Sequence, residues 1–133
     1  MNDRKQLIKL EDSDLWQHAQ KVCKVMYELN DHLSEEERAT LGYRLRGKAF
    51  DITADIAEAV GAIDYRDSEF PLSMARKAVF SLKNVYRFLG VQKIVSIEPD
   101  IMLSLDELVA KIDHEVTQAW EKIDAYESEK QTK

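Results

Sequence analysis

Apolar residues in this chain return at alternating steps of four and three over most of its length, and this pattern limits the possible folds more than any other feature. Leu15, Ala19, Val22, Met26, Leu29 and Leu33 form the first series. Steps of four and three keep side chains on one face of an α-helix, whereas a strand facing a core repeats every two residues. Asp12 or Ser13 can cap the start of this helix. A second start lies at Ser34-Glu35-Glu36-Glu37, a capping box in which Ser34 and Glu37 satisfy each other's backbone N–H groups. Leu41, Leu45, Ala49, Ile52, Ile56 and Ile63 carry the next stripe, and Gly61 offers a stop. The spacing predicts a second helix over residues 34–60.

After a loop from Gly61 to Arg66, Asp67 or Ser68 can cap a third helix, with Pro71 tolerated in a first turn whose N–H groups have no intrahelical partner. Its seam is Leu72, Ala75, Val79, Leu82, Tyr86 and Leu89, ending at Gly90. Pro99 suits the first position of a fourth helix, with Met102, Leu105, Val109, Ile112, Val116, Ala119, Ile123 and Tyr126 as its seam. The tail Ser128–Lys133 should fray. Only Val91 to Ile97 reads as strand-like, and it is a connection between helices.

Four Gly and two Pro in 133 residues leave few turns, and this length closes one core but not two. Short connectors make consecutive helices antiparallel. The expectation is an all-α fold, an up-down-up-down antiparallel four-helix bundle forming a single domain over residues 1–133. Its core spans 12–128, with short flexible tails. No apolar run is long enough for a membrane span and the charged start lacks a signal peptide's apolar stretch, so the protein is expected in the cytoplasm and off the membrane. The lone Cys23, set among apolar positions, reads as a small buried hydrophobe.

No motif points to catalysis. Gly42-Tyr43-Arg44-Leu45-Arg46-Gly47-Lys48-Ala49 matches a phosphate-binding loop except at its last position, where Ala49 lacks the hydroxyl that would hold magnesium. The motif also needs a loop between strand and helix, and here it lies inside a helical pattern. His114-Glu115-Val116-Thr117-Gln118 carries Gln where a zinc motif needs its second His, and no third ligand accompanies it. Neither an elbow nucleophile nor paired Glu-x-x-His sites occur. No enzyme activity, cofactor, metal or small-molecule substrate is expected.

Two features point to binding. Phe50, with Ala54 and Ala57, lies beside the main stripe of the second helix, and Phe70, Met74, Ala78, Val85 and Phe88 form a second stripe on the third. Either the core face is wide or these residues make a subunit interface. Trp16 and Trp120 can anchor the core or that interface. Charge is also uneven in a chain of net charge -6. From Phe70 to Ile97 there is no acid, but Arg76, Lys77, Lys83, Arg87 and Lys93 give +5, and Arg44 and Lys48 make a similar pair on the second helix. Glu98 to Lys130 has ten acids against three bases. The basic residues either pair with the acidic fourth helix or form a face for phosphates.

These residues resemble a family. Asp14-Leu15-Trp16-Gln17-His18-Ala19 is similar to the D-L-x-V-W-Q-x-A opening of the four-helix-bundle proteins encoded in intervening sequences of bacterial large ribosomal RNA genes. That superfamily also holds the accessory variability protein of diversity-generating retroelements. The stretch Arg46 to Ala59 resembles its R-R-A-x-x-S-I-x-x-N-I-A-E-G, with Asp55 in place of Asn and Ala59 in place of the final Gly. Phe70 to Ala78 resembles F-x-x-F-L-x-I-A-x-G-S. Tyr86-Arg87-Phe88-Leu89 followed by Val91-Gln92-Lys93 is similar to the retroelement branch. The resemblance implies a homopentamer without catalysis and, in that branch, partnership with a reverse transcriptase and its RNA. The expected function is an oligomeric accessory or scaffold protein that binds RNA or a nucleic-acid enzyme through the third helix. The alternative is a structural oligomer that engages a protein partner and no nucleic acid.

Overall fold

The computed structural model describes residues 4–131. The outermost tail residues, 1–3 and 132–133, lie outside the described residues. The protein is all-α: four helices carry the chain, and no strand forms among the described residues.

Helix α1, Asp14–Asp31, is capped by Ser13, whose hydroxyl accepts the Trp16 N–H at 3.1 Å. Asp12 instead ends a short 3-10 turn, Leu10–Asp12. Helix α2 begins at Glu35–Glu37 with the capping box complete: Ser34 N–H donates to Glu37 at 2.8 Å, and Glu37 N–H donates to the Ser34 hydroxyl at 3.2 Å. It then runs through a π-helical stretch, Arg38–Gly42, and continues as Tyr43–Gly61. At Gly42 it presses so closely on α1 that any Cβ would overlap the buried Asn30 side chain. No apolar period signals this π stretch.

Helix α3, Tyr65–Val91, corrects three expectations. It starts earlier than Asp67, because Asp64 takes the cap and accepts the Asp67 N–H at 2.7 Å. Ser68 is instead buried in the helix, its hydroxyl donating to the Tyr65 carbonyl at 2.8 Å. Pro71 consequently lies inside the helix, where its absent N–H leaves the Asp67 carbonyl without the usual donor. Ile63 falls in the connector and is exposed, outside the α2 stripe. Nor does Gly90 end the helix. The chain leaves α3 through Lys93, which adopts a left-handed φ of 61°. Lys93 N–H donates to the Gly90 carbonyl at 3.0 Å and Ile94 N–H to the Leu89 carbonyl at 2.9 Å, the paired bonds of a Schellman ending. Gly90 serves a different need, since a Cβ there would overlap Ile97, whose side chain crosses it.

Helix α4, Pro99–Gln131, begins at Pro99 and stays helical through Glu129 and Lys130, where fraying was expected. At 1.5 Å per residue it is about 50 Å long, against about 27 Å for α1. Arg4 and Lys5, expected in a loose tail, are tied down: the Arg4 backbone pairs with that of Asp64 in an isolated antiparallel bridge, Lys5 N–H donates to the Ile63 carbonyl at 2.9 Å, and the Lys5 ammonium reaches the Ala59 carbonyl.

One continuous apolar cluster draws on all four helices, including Leu15 and Met26 of α1, Leu45 and Ile56 of α2, Val79 and Leu82 of α3, and Leu105 and Ile112 of α4. Every residue of the expected α3 seam is buried. In α4 Leu108 is fully buried, whereas Met102, Val109 and Val116 pack only partly against the cluster. No helix is long and apolar enough to cross a membrane among the described residues.

Candidate interaction surface

On α2, Tyr43, Gly47 and Phe50 are spaced by four and three, as are Arg44, Lys48 and Asp51, so two parallel rows run along its outer side. Beside them α3 presents Phe80, Ser81, Asn84 and Val85, and Tyr27 of α1 closes one end. Together with Arg46 these residues line an open groove of about 960 Å³. A Cβ on Gly47 would meet nothing within 4 Å, which leaves the α2 side of the groove shallow and open.

The expected apolar interface residues separate into two groups. Phe50, Phe70, Met74 and Phe88 are exposed, with Phe70 at 67% and Phe50 at 59%. Ala78 is buried in the chain's own core, and Val85 packs partly against it while also lining the groove. Tyr27, Tyr43 and Phe80 were missed by the sequence reading and are also exposed. Phe80 could have been found from its place four residues after Arg76 and three before Lys83, between two cations on one helix face. Trp16 is half-buried against the core, while Trp120 is 47% exposed on α4.

The cations divide as well. Arg76 grips Asp113 of α4 with two nitrogens, at 2.6 and 3.4 Å, and Lys83 reaches Asp106 at 2.6 Å. The hydrogen bond to Asp113 raises the already high pKa of Arg76. Both cations also sit over the Phe80 ring, 5.0 and 5.2 Å from its centre. Two of the expected phosphate ligands are therefore engaged within the chain. Lys48 lies 3.9 Å from Asp51, a loose and exposed pair. Arg44, Lys77, Arg87 and Lys93 make no ion pair among the described residues and are exposed. Arg44 and Lys48 border the groove, whereas Lys77, Arg87 and Lys93 do not line it.

The remaining polar groups are scattered. His18 Nε2 meets the Ser104 hydroxyl at 3.0 Å, and burial, followed by the nearby Lys111 charge, lowers its pKa. Burial raises the Cys23 thiol. Asp55 is raised by burial and by the neighbouring Glu58 and Asp51 carboxylates. His114 is exposed, and the stretch Gly42 to Ala49 is helical throughout, so its backbone N–H groups are engaged in helix bonds. Among the described residues no three His, Cys, Asp or Glu side chains gather as a metal site. The groove offers ring faces, cations, one carboxylate, three hydroxyls and one amide, a set suited to holding an apolar and acidic surface.

No protein-family model matches the sequence, and no curated protein matches it.

Proposed function

We propose that this protein is a non-catalytic, self-associating scaffold or accessory protein of the cytoplasm that works by engaging another protein. Its single domain is an up-down-up-down antiparallel four-helix bundle. The direction of the helices is supported by the ion pairs. As the α3 partner advances from Arg66 to Arg76 to Lys83, its α4 partner retreats from Glu127 to Asp113 to Asp106. The binding role rests on one observation: the outer side of α2 and α3 leaves Tyr43, Phe50, Phe70, Phe80 and Phe88 exposed on neighbouring helices. Large rings left in water favour burial at about 25 cal/mol per Å² of apolar area. Several large rings exposed on two adjacent helices, three of them lining one groove, favour an interface.

Five subunits is the number the family resemblance implies, and a reverse transcriptase is the partner it implies. RNA is a second reading, favoured by the unpaired Arg44 beside exposed rings on which bases could stack. A protein partner is preferred because Arg76 and Lys83 already answer Asp113 and Asp106, and because the chain is acidic overall.

Phe70→Glu and Phe88→Glu test the proposal. Each should dissociate the assembly in sedimentation while the far-ultraviolet dichroism of the helices is kept. An unchanged assembly in both would contradict it. Anisotropy of a labelled single-stranded RNA tests the second reading. Binding with a log-log salt slope of about -0.7 per phosphate contacted would favour RNA over a protein partner.

A further inference from the structure

Resting on that reading, we infer that the α2–α3 groove of one copy receives the acidic end of α4 from a second copy. Trp120 enters among Tyr43, Phe50 and Phe80, and Glu121 and Asp124 face Arg44 and Lys48.

Helix α4 is longer than the rest of the bundle needs. The first turn of α1, at Asp14 and Leu15, lies beside Ala110, Lys111, His114 and Glu115. Residues 116–131 therefore run past the start of α1 for about 24 Å. Within this overhang Ala119 and Ile123 are buried, while Trp120, Glu121 and Asp124 are exposed. Spacings of one and three residues put these three on one outward face. Glu121 and Asp124 make no ion pair among the described residues, whereas Glu127 is held by Arg66 at 2.6 Å. One indole beside two free carboxylates is the complement of the groove, which has exposed rings flanked by Arg44 and the loosely held Lys48.

The two surfaces cannot meet within a chain. Trp120 lies midway between Asp113, held by Arg76, and Glu127, held by Arg66, so it is level with a point on α3 about 14 Å before Phe80, and α4 lies on the other side of α3 from α2. The contact is therefore between copies: groove and overhang are separate patches, and the overhang of one copy meets the groove of another. Desolvating an indole among aromatic rings supplies the attraction, and the carboxylates and cations set the register.

A contact between two different patches has a charge-swap test. Arg44→Glu with Lys48→Glu makes an acidic groove that repels the native overhang. Glu121→Lys with Asp124→Lys makes a basic overhang that repels the native groove. Each double variant alone should self-associate at least roughly tenfold more weakly than the native protein, because like charges then face each other. Mixed in equal amounts the two should reassemble, since each then finds an opposite partner for both of its patches. Circular dichroism confirms that each remains helical. If both variants keep the native mass, the inference fails while self-association stands, and the interface lies elsewhere. If both dissociate and the mixture stays dissociated, the pairing of groove with overhang is overturned. A native protein that is monomeric throughout removes this contact together with the reading beneath it. If the groove variant loses single-stranded RNA binding but keeps the native mass, the groove belongs to RNA and the inference is overturned.

Discussion

The hydroxyl oxygen of Tyr86 accepts the backbone N–H of Glu98 at 2.8 Å, joining the last turns of α3 to the residue that precedes α4. Tyr86 is fully buried, so its ring fills the core while its polar end reaches an N–H at the start of the next helix. Tyr86→Phe keeps the ring and orphans that N–H. It should lower unfolding stability by about 1 kcal/mol in urea titrations, and Tyr86→Ala by about 3–5 kcal/mol through the cavity it leaves.

At Gly42, the buried Asn30 side chain occupies the space a Cβ would take. Gly42→Ala should therefore cost about 1–3 kcal/mol, as overpacking does, although alanine is the better helix former. Combined with Asn30→Ala the loss should be smaller than the sum of the single losses, because the clash is then removed. Additive losses would mean that the two residues do not press on each other.

Lys93 ends α3 in a left-handed conformation that costs an L-residue about 1–2 kcal/mol and glycine almost nothing. Lys93→Gly should stabilise the protein by about 0.5–1 kcal/mol after the added freedom of the unfolded chain is deducted. A rise in thermal midpoint checks this.

The apolar periodicity made the four helices legible, and the α3 seam from Leu72 to Leu89 is buried throughout because side-chain burial is what periodicity reports. Boundaries were less legible. Asp67 and Ser68 look like caps, but the residue three places before Asp67, Asp64, is also a capping residue and takes the position. Lys93 was singled out for its charge and not as the helix ending, because the left-handed ending normally announces itself with Gly or Asn. The groove was half legible: Arg44, Lys48, Phe50 and Val85 were singled out, whereas Tyr27, Tyr43 and Phe80 come together only once α1, α2 and α3 are side by side. The pairing of Arg76 with Asp113 depends on the register between helices, which no single-helix pattern encodes.

His18 should give the fold a pH dependence. Burial is the main cause of its lowered pKa, Lys111 and Lys21 add to it, and Glu107 and the Ser104 contact oppose it. The folded protein therefore takes up the imidazole proton less readily than the unfolded chain. Stability is fully present above the ordinary value of 6.5 and is lost as pH falls through that value toward the lower folded one. His18→Gln, which keeps a group able to bond Ser104, should flatten this part of the profile. Asp55 acts in the opposite sense and at lower pH, since its raised carboxyl favours the protonated folded form. A profile of the native protein that is flat between neutrality and mildly acid pH would contradict the His18 assignment.

The claim that joins these observations is that the aromatic surface of α2 and α3 is covered by protein in solution. Light scattering of the native protein over a range of concentrations tests it directly. The mass should be a multiple of the 15.4 kDa chain and fall toward that value on dilution or with Phe70→Glu. A single-chain mass at every concentration, with Phe50, Phe70 and Phe88 left in water, would contradict it.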